Sequence, residues 1–280
     1  MSTANRLLNV LGLFTLDRPQ WTVEAAALEL GLTLSTTYRY FKSLVEAGLV
    51  AADTPRHYTL GPAIIHYDRQ MRLRDPLIST AAPVMQRLAR TIDPEAVVLL
   101  CRLYRHQVVC VHQETMSTQD FHARWERGQP ISYERGQPMP LHRGAPSKAI
   151  LAHMKSRAVR AVYDSDPDAM REVGLGATWA EVKRNLRELR ANRAIVTKGE
   201  LEGGMQGIAA PILSPQTGAI GSLSIVLPRG EPTMSLDSVM NVLAQAAHEI
   251  EAGIAPKRVG SPTPGRPGKF GQDQAGQDAR

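Results

Sequence analysis

The sequence predicts an α+β protein, in which a small helical head with a short β-hairpin precedes a larger domain built on an antiparallel sheet. Apolar residues recur at helical spacing through residues 4–48, whereas β-prone runs dominate after residue 95. At 280 residues the chain can hold two ordinary domains, each with its own core. The predicted parts are a head at 1–61, a connecting helix at 62–75, the larger domain at 76–255 and a disordered tail at 256–280.

Three helices are expected in the head. The first has one apolar face, which holds Leu7, Leu8, Leu11 and Phe14. Thr22 is a suitable N-cap for the second helix, which Gly31 ends. The third begins at Thr33 or Ser35, and Gly48 stands where a glycine commonly follows a helix C-terminus.

A hairpin closes the head, because two β-prone runs flank the turn-forming residues 53–56. A helix at 63–74 then leads into the larger domain. The expected strands there cover 96–104, 107–114, 129–133, 206–213 and 220–227, and the expected helices cover 77–92, 146–155, 179–192 and 235–252.

Residues 27–45 have the pattern of two helices that cross closely. Ala27 gives a small contact residue, and Gly31 follows four residues later in the turn. The inner face of the third helix is expected to hold Thr37, Phe41, Leu44 and Val45. The outer face carries hydrogen-bonding and cationic side chains, namely Ser35, Thr36, Tyr38, Arg39 and Lys42.

Such outward side chains can reach base edges and phosphates in a DNA groove, and Arg56 in the hairpin is placed as a wing contact. The head is therefore predicted to be a winged helix-turn-helix that binds double-stranded DNA. A three-helix bundle with a merely solvated polar face is the alternative. Bulk charge does not decide between them, because half of the net charge of +6 lies in 256–280, which has five Lys or Arg and two Asp or Glu.

Several motifs resemble the IclR family of bacterial transcription regulators over roughly residues 4–252. In the head these are STTYRYFKSLVEAGLV and YTLG; in the larger domain they are PLHRGAPSKAILA, IVTKGELEGGMQGIAAPIL and GSLSIVLP. The resemblance implies a winged helix-turn-helix, a linker helix used for dimerisation, and a GAF-like C-terminal domain. That domain binds a small metabolite, often an organic or aromatic acid of a catabolic pathway, and no enzyme activity is implied.

The resemblance also implies which residues contact the effector. By motif they are Ala145, Pro146, Ser147, Thr197, Met205, Gly207, Ser224 and Val226. The chain departs from the family pattern at Pro146-Ser147, where a small residue and then glycine are usual, and at Val226, where serine is frequent. Met205 and Val226 suggest a ligand with an apolar or aromatic body.

The stretch LHRGAPSKAILAHM (141–154) admits three interpretations. Ser147 beside Lys148, with His142 upstream, could be a nucleophile with candidate bases. It could also be a helix N-terminus that holds an anion, or only a helix start. No Gly-x-Ser-x-Gly elbow is present, so we favour a sensor site in which the amides around Ser147 and Lys148 are free to face a pocket.

A metal site is a weak alternative near Cys101, His106, Cys110 and His112. Their spacing matches no usual zinc pattern, and the neighbours are apolar, so the cysteines are expected to be small core residues. No metal, catalytic residue or cofactor is predicted.

The sequence thus predicts a ligand-responsive DNA-binding regulator of a catabolic pathway, whose effector is a small organic acid. A homodimer, with pairing of dimers as an alternative, would bind a roughly palindromic operator. No window reaches about 18 uninterrupted apolar residues, so a cytoplasmic protein without membrane partners is expected. The alternatives are a hydrolase that uses the Ser147 region with an appended DNA-binding module, and an effector-independent DNA-binding dimer.

Overall fold

The computed structural model describes residues 2–116, 133–229 and 234–254. The expected strand at 129–133, apart from Tyr133, and the expected tail at 256–280 lie outside the described residues. The head contains the helices α1 (Thr3–Leu11), α2 (Val23–Leu30) and α3 (Leu34–Glu46) and the hairpin strands β1 (Val50–Ala52) and β2 (Tyr58–Leu60).

Local signals in the sequence fix the ends of the head helices. The Thr22 hydroxyl accepts from the Ala25 amide to cap α2, and the Thr33 hydroxyl accepts from the Thr36 amide to cap α3. Gly31 ends α2 with a left-handed φ of 61°, which a residue with a side chain adopts only at a cost. The two helices are therefore joined by the short glycine turn that the sequence predicts.

The core of the head joins the hairpin to the helices. Trp21 pairs with Tyr58 in an isolated antiparallel bridge, and its indole Nε1 donates to the Leu13 carbonyl at 2.8 Å. Phe41 packs edge-to-face on Tyr58, with 4.8 Å between the ring centroids. These aromatic contacts hold α3 against the hairpin.

One inward position of α3 is predicted wrongly. Thr37, Phe41 and Leu44 are buried as expected, but Val45 is 40% exposed and Tyr40 is buried in its place. Successive residues of a helix differ by about 100° around its axis, so the inward face centres on Tyr40, Phe41 and Leu44, and Val45 turns away.

Two consecutive helices link the head to the larger domain: α4 (Ala63–Arg74) and α5 (Pro76–Thr91). The Asp75 carboxylate marks the junction, because it accepts from the Leu77 amide and thereby caps α5. Arg102 in the sheet also donates to Asp75, at 2.5 Å. The start of α5 is thus tied to the larger domain.

Within the described residues, the larger domain is built on one antiparallel sheet of six strands with the order β5-β4-β3-β8-β7-β6. Its strands are β3 (Val97–Tyr104), β4 (Gln107–Thr115), β5 (Pro138–Pro140), β6 (Ile195–Lys198), β7 (Met205–Ser214) and β8 (Gly218–Pro228). The remaining helices in the part of the chain that the structure describes are α6 (Ala145–Ala152), α7 (Ser156–Ser165), α8 (Pro167–Glu172), α9 (Trp179–Ala191) and α10 (Leu236–Ile254).

Each face of the sheet carries its own hydrophobic core. On one face α5 and α10 pack on alternate strand residues such as Leu100 and Ile225. On the other face the helices α6 to α9 cover Leu99, Cys101 and Cys110. The expected α+β class with an antiparallel sheet is confirmed, and so is the prediction that the two cysteines are core residues. A hydrogen bond with Cys110, together with burial, raises the pKa of the Cys101 thiol.

Candidate functional site

The outer face of α3 is the first candidate site. Ser35, Tyr38, Arg39 and Lys42 are exposed on it, and Tyr38 keeps 50% of its surface. Thr36 is half-buried, and its hydroxyl accepts from Thr33 Oγ1 at 2.9 Å within the helix cap. Four of the five predicted side chains on α3 are therefore open to a partner, while Thr36 has a local role as well.

The hairpin presents the remaining predicted contact of the head. Arg56 is exposed at its tip. Thr54 shapes this tip, because its hydroxyl accepts from the His57 amide at 3.2 Å. Lys42 on α3 forms an exposed ion pair with Glu46 at 3.9 Å, which solvent screening leaves weak and easily exchanged for a phosphate.

A pocket in the larger domain is the second candidate site. It opens between the start of α6, the loop from β6 to β7, and the adjoining ends of β3 and β8. Its empty volume is about 350 Å³, which includes space open to solvent. It is lined by Leu99, Tyr133, Ala145, Pro146, Thr197, Gly199, Glu200, Leu201, Glu202, Met205, Gln206, Gly207 and Val226.

Most of the predicted effector contacts meet at this pocket. Six of the eight line it: Ala145, Pro146, Thr197, Met205, Gly207 and Val226. Ser147 and Ser224 are not among its lining residues. Both are completely buried, and neither hydroxyl has a hydrogen-bond partner among the described residues.

The N-terminus of α6 forms the polar end of the pocket. Gly144 precedes the helix with a φ of 86°, and a Cβ at this position would lie 2.6 Å from Leu201 Cδ1, so glycine is needed here. The Gly144 amide donates to Glu200 Oε2 at 2.9 Å, and the Ala145 amide donates to Thr197 Oγ1 at 3.1 Å. Pro146 has no amide hydrogen to offer.

The expectation of free amides around Ser147 and Lys148 is wrong for Lys148. Its amide donates to the Gly144 carbonyl at 3.0 Å, because the first turn of α6 closes there. Its ammonium group donates to Glu200 Oε1 at 2.6 Å and to the Val173 carbonyl at 2.9 Å. The Lys148 side chain is only 7% exposed and that of Glu200 20%, so this is a largely buried ion pair.

Seven lining residues were not predicted from the sequence, and Glu200 is the one among them that binds Gly144 and Lys148. It lies inside the quoted stretch IVTKGELEGGMQGIAAPIL, but its partner Gly144 is 56 residues away in the chain. Charge is the signal that could have identified this pair. Glu200 follows a strand by two residues and Lys148 lies in the first turn of a helix, and either charge is costly to bury without a partner.

The arrangement does not support a nucleophilic serine. The Ser147 hydroxyl is hydrogen-bonded to neither Lys148 nor His142, and Lys148 is held by Glu200. Burial lowers the pKa of His142, although the Asp166 carboxylate opposes this effect. A nucleophile needs a base within hydrogen-bond reach, and the described residues provide none for Ser147.

Comparisons with solved structures show the same fold in known proteins. An IclR transcriptional regulator from Alicyclobacillus acidocaldarius is 22% identical, with a TM-score of 0.66 over 90% of this chain and 98% of its own. An IclR homolog from Microbacterium hydrocarbonoxydans, solved in complex with 4-hydroxybenzoate, is 21% identical, with a TM-score of 0.63 over 90% of this chain and 99% of its own.

Sequence comparison points to the same group of proteins. The HTH-type transcriptional regulator KipR of Bacillus subtilis is 26% identical over 226 residues, which cover 80% of this chain and 84% of KipR. The family description "IclR helix-turn-helix domain" matches residues 3–54, and "Bacterial transcriptional regulator IclR C-terminal" matches residues 73–252. The second match alone spans more than half of the chain, so the protein belongs to the IclR family of DNA-binding transcription regulators and is not an enzyme.

Proposed function

We propose that this regulator binds a roughly palindromic operator as a homodimer and senses a small organic acid with an apolar or aromatic body, such as a catabolic substrate. The observation that carries the proposal is the pocket at the N-terminus of α6, which combines a hydrophobic lining with a helix start and with the Glu200 carboxylate that Lys148 binds. DNA and the regulator's effector meet in the cytoplasm, where we expect it to act.

The lining of the pocket supports an effector with an apolar body. Leu99, Leu201, Met205 and Val226 give it aliphatic walls, and Tyr133 adds an aromatic ring. A ligand ring buried against such side chains gains about 25 cal/mol for each Å² removed from water. The 4-hydroxybenzoate bound by the Microbacterium homolog has this combination of a ring and an acid group.

The polar end of the pocket supports an acid group. Backbone amides at a helix N-terminus carry a partial positive charge, and the Lys148 ammonium group adds a full one. In the structure this end already binds the Glu200 carboxylate, so it has the donors that a carboxylate requires. Thr197 lines the same end.

The surface of α4 supports dimerisation through the linker. No residue of α4 is buried in the described part of the structure, and its large apolar side chains are open to solvent. Ile65 is 72% exposed, Met71 55% and Leu73 59%. Exposed apolar side chains in this number are unfavourable in an isolated monomer and typical of a helix that packs on a partner. Two copies joined there would present two copies of α3 to half-sites one or more helical turns apart.

A polar link between the pocket and α4 supports a response to the effector. Tyr133 lines the pocket, and two residues later the Arg135 guanidinium forms an ion pair with Asp68 of α4. Arg135 Nε also donates to the Val111 carbonyl at 2.9 Å, which fixes the side chain on the sheet. A ligand that displaces Tyr133 would therefore act on the linker helix through a short path.

A thermal-shift panel of organic acids and their neutral amides tests the sensing function. We expect at least one aromatic or aliphatic acid to raise the melting temperature of the wild type. Gly207→Val should abolish this shift, because a Cβ there would already lie 3.3 Å from Thr197 Oγ1 and the longer side chain would fill the pocket. Gly203→Val is the matched control, since nothing lies within 4 Å of its added Cβ and it does not line the pocket.

The same panel separates the proposal from its alternative. No shift with any acid would favour an effector-independent DNA-binding dimer. An equal shift in Gly207→Val would place the ligand elsewhere.

Analytical ultracentrifugation tests the linker interface: Ile65→Glu should yield monomers, whereas Leu28→Glu, at an 87% exposed position of the head, should leave the dimer intact.

A further inference from the structure

The start of α6 has its donors engaged within the protein. The amide of Gly144 and the ammonium group of Lys148 both bind Glu200, and the Ala145 amide binds Thr197. An acid group that enters this end of the pocket therefore meets a carboxylate in the position that it needs. Two carboxylates sharing one cation repel each other strongly when water is largely excluded.

We propose that Glu200 is an internal substitute for the acid group of the effector, which the effector's carboxylate displaces from Gly144 and Lys148. This inference rests on the proposed function, in that it takes the effector to be an organic acid. In the unliganded protein Glu200 neutralises Lys148; in the complex the ligand does so, and Glu200 turns toward solvent.

The exchange conserves the charge of the site. The Lys148 side chain is only 7% exposed, and its ammonium group needs an anionic partner in either state, because an unpaired buried charge costs several kcal/mol. An acid effector replaces one carboxylate by another, so the pairing is kept. A neutral amide of the same shape cannot replace Glu200, and it is therefore confined to the apolar part of the pocket.

The loop that carries Glu200 is built for such a movement. It joins β6 to β7 at 199–204, and Gly199 and Gly204 have φ values of 67° and 81°. Gly203 and Gly204 have open space around them. The Glu200 side chain already keeps 20% of its exposure, so the path to solvent is short.

Movement of the loop also reaches the apolar part of the pocket. Leu201 follows Glu200, lines the pocket, and is the residue against which a Cβ on Gly144 would collide. When Glu200 leaves, Leu201 must shift with it. Displacement therefore enlarges the space for the ligand body, which links recognition of the acid group to opening of the pocket.

The first turn of α6 and the adjoining strand offer two further polar groups. The hydroxyls of Ser147 and Ser224 are completely buried without a hydrogen-bond partner among the described residues. A buried polar group without a partner is unfavourable by roughly 1–3 kcal/mol. Ser224 lies opposite Leu99, a pocket residue, on the neighbouring strand. If the pocket rearranges, its hydroxyl is therefore close enough to the pocket to donate a hydrogen bond.

Isothermal titration calorimetry with benzoate and benzamide tests the displacement. While Glu200 occupies the donors of Gly144 and Lys148, only a fraction of the protein molecules can bind an acid there. The apparent affinity of the protein for benzoate is reduced by that fraction. Glu200→Gln should therefore strengthen benzoate binding at least about fivefold, at the lower end of usual coupling effects, and change benzamide binding less than about twofold. Equal gains for both probes, or no gain for benzoate, would overturn the proposal.

Glu202→Gln is the matched control, because Glu202 supplies a second carboxylate in the same pocket while Gly144 and Lys148 are bonded to Glu200. Its removal should raise benzoate affinity less than Glu200→Gln does. An equal rise would mean that general repulsion alone is at work and would overturn the displacement.

Hydrogen–deuterium exchange on the wild type keeps the test independent of any variant's folding. Benzoate should speed amide exchange in 199–204, because the loop leaves its anchor, whereas benzamide should not; unchanged or slower exchange with benzoate would contradict the proposal. Failure of the proposed acid sensing and failure of the Glu200 displacement give different results. Wild type and Glu200→Gln that both bind no acid refute the acid effector itself, whereas normal wild-type binding without a gain in Glu200→Gln refutes only the displacement.

Discussion

Lys148→Met is the substitution that tests the structure of the pocket most severely. Methionine fills a similar volume but offers no charge and no donor. Glu200 then keeps only the Gly144 amide as a partner, and the Val173 carbonyl loses its bond to Lys148. Removal of one member of a buried ion pair costs roughly 3–5 kcal/mol.

Exposure of Glu200 reduces that figure. Its side chain is 20% exposed, so solvent compensates part of the loss, and we expect a destabilisation of about 2–4 kcal/mol. For a domain of this size each kcal/mol lowers the melting temperature by about 2–4 °C, which gives a total of roughly 4–16 °C. Glu200→Gln combined with Lys148→Met should cost less than Lys148→Met alone, because no unpaired carboxylate remains.

Urea unfolding followed by circular dichroism measures the free energy of unfolding of the single and the double variants. The single and double variants form a cycle whose interaction energy reports the pairing. A loss below about 0.5 kcal/mol for Lys148→Met would contradict the buried ion pair. A double variant less stable than Lys148→Met would contradict the claim that the orphaned Glu200 carboxylate causes the loss.

Three further predictions concern DNA binding, coupling and thiol reactivity. Arg39→Ala should weaken specific operator binding by about 1–3 kcal/mol in fluorescence anisotropy, and Arg187→Ala, on an exposed face of α9, should not; equal effects would remove Arg39 from the interface. Arg135→Gln should leave acid binding intact but reduce the change in operator affinity that the acid causes by about 0.5–2 kcal/mol, and Asp68→Asn should do the same. An unchanged effect of the acid on operator affinity would contradict the proposed coupling through the Arg135–Asp68 ion pair. A hydrogen bond with Cys110 and burial raise the pKa of Cys101, so its thiol should react with a disulfide reagent only on unfolding, and rapid labelling of the folded protein would contradict that burial.

The head was predictable because its signals are local. Thr22, Thr33 and Gly31 act on neighbours within a few residues, so they define the ends of α2 and α3 wherever the helices pack. Whether Val45 or Tyr40 lies on the buried face depends instead on how α3 is rotated against the hairpin. That rotation is set by Phe41 and Trp21 contacting Tyr58, which no periodicity of α3 contains.

Parts of the larger domain were missed for comparable reasons. The sequence does not predict α7 and α8, because the residue before α7 is Lys155, which gives no side-chain cap, and α8 has only six residues. The edge strand β5 holds three residues, of which two are proline, a composition that disfavours strands. All three elements contribute a side chain to the core on one face of the sheet, namely Val159, Met170 and Met139.

The pocket was predictable as a place but not as a set of bonds. Motifs indicate that α6, β6 and β7 meet there, and six of the eight residues taken from the resemblance line it. Ser147 and Ser224 turn into the packed interior, and the bonds from Gly144 and Lys148 to Glu200 bridge more than 50 residues of chain. Contacts of that range depend on the register of the sheet, which local patterns do not specify.

An acid in the pocket should change the affinity of this regulator for its operator. Fluorescence anisotropy with an operator duplex selected from random sequences measures it directly, without and with a saturating acid identified by thermal shift. We expect the acid to change operator affinity at least about fivefold, and the operator to change acid affinity by the same factor, as linkage requires. Acid binding that leaves operator affinity unchanged would contradict the account.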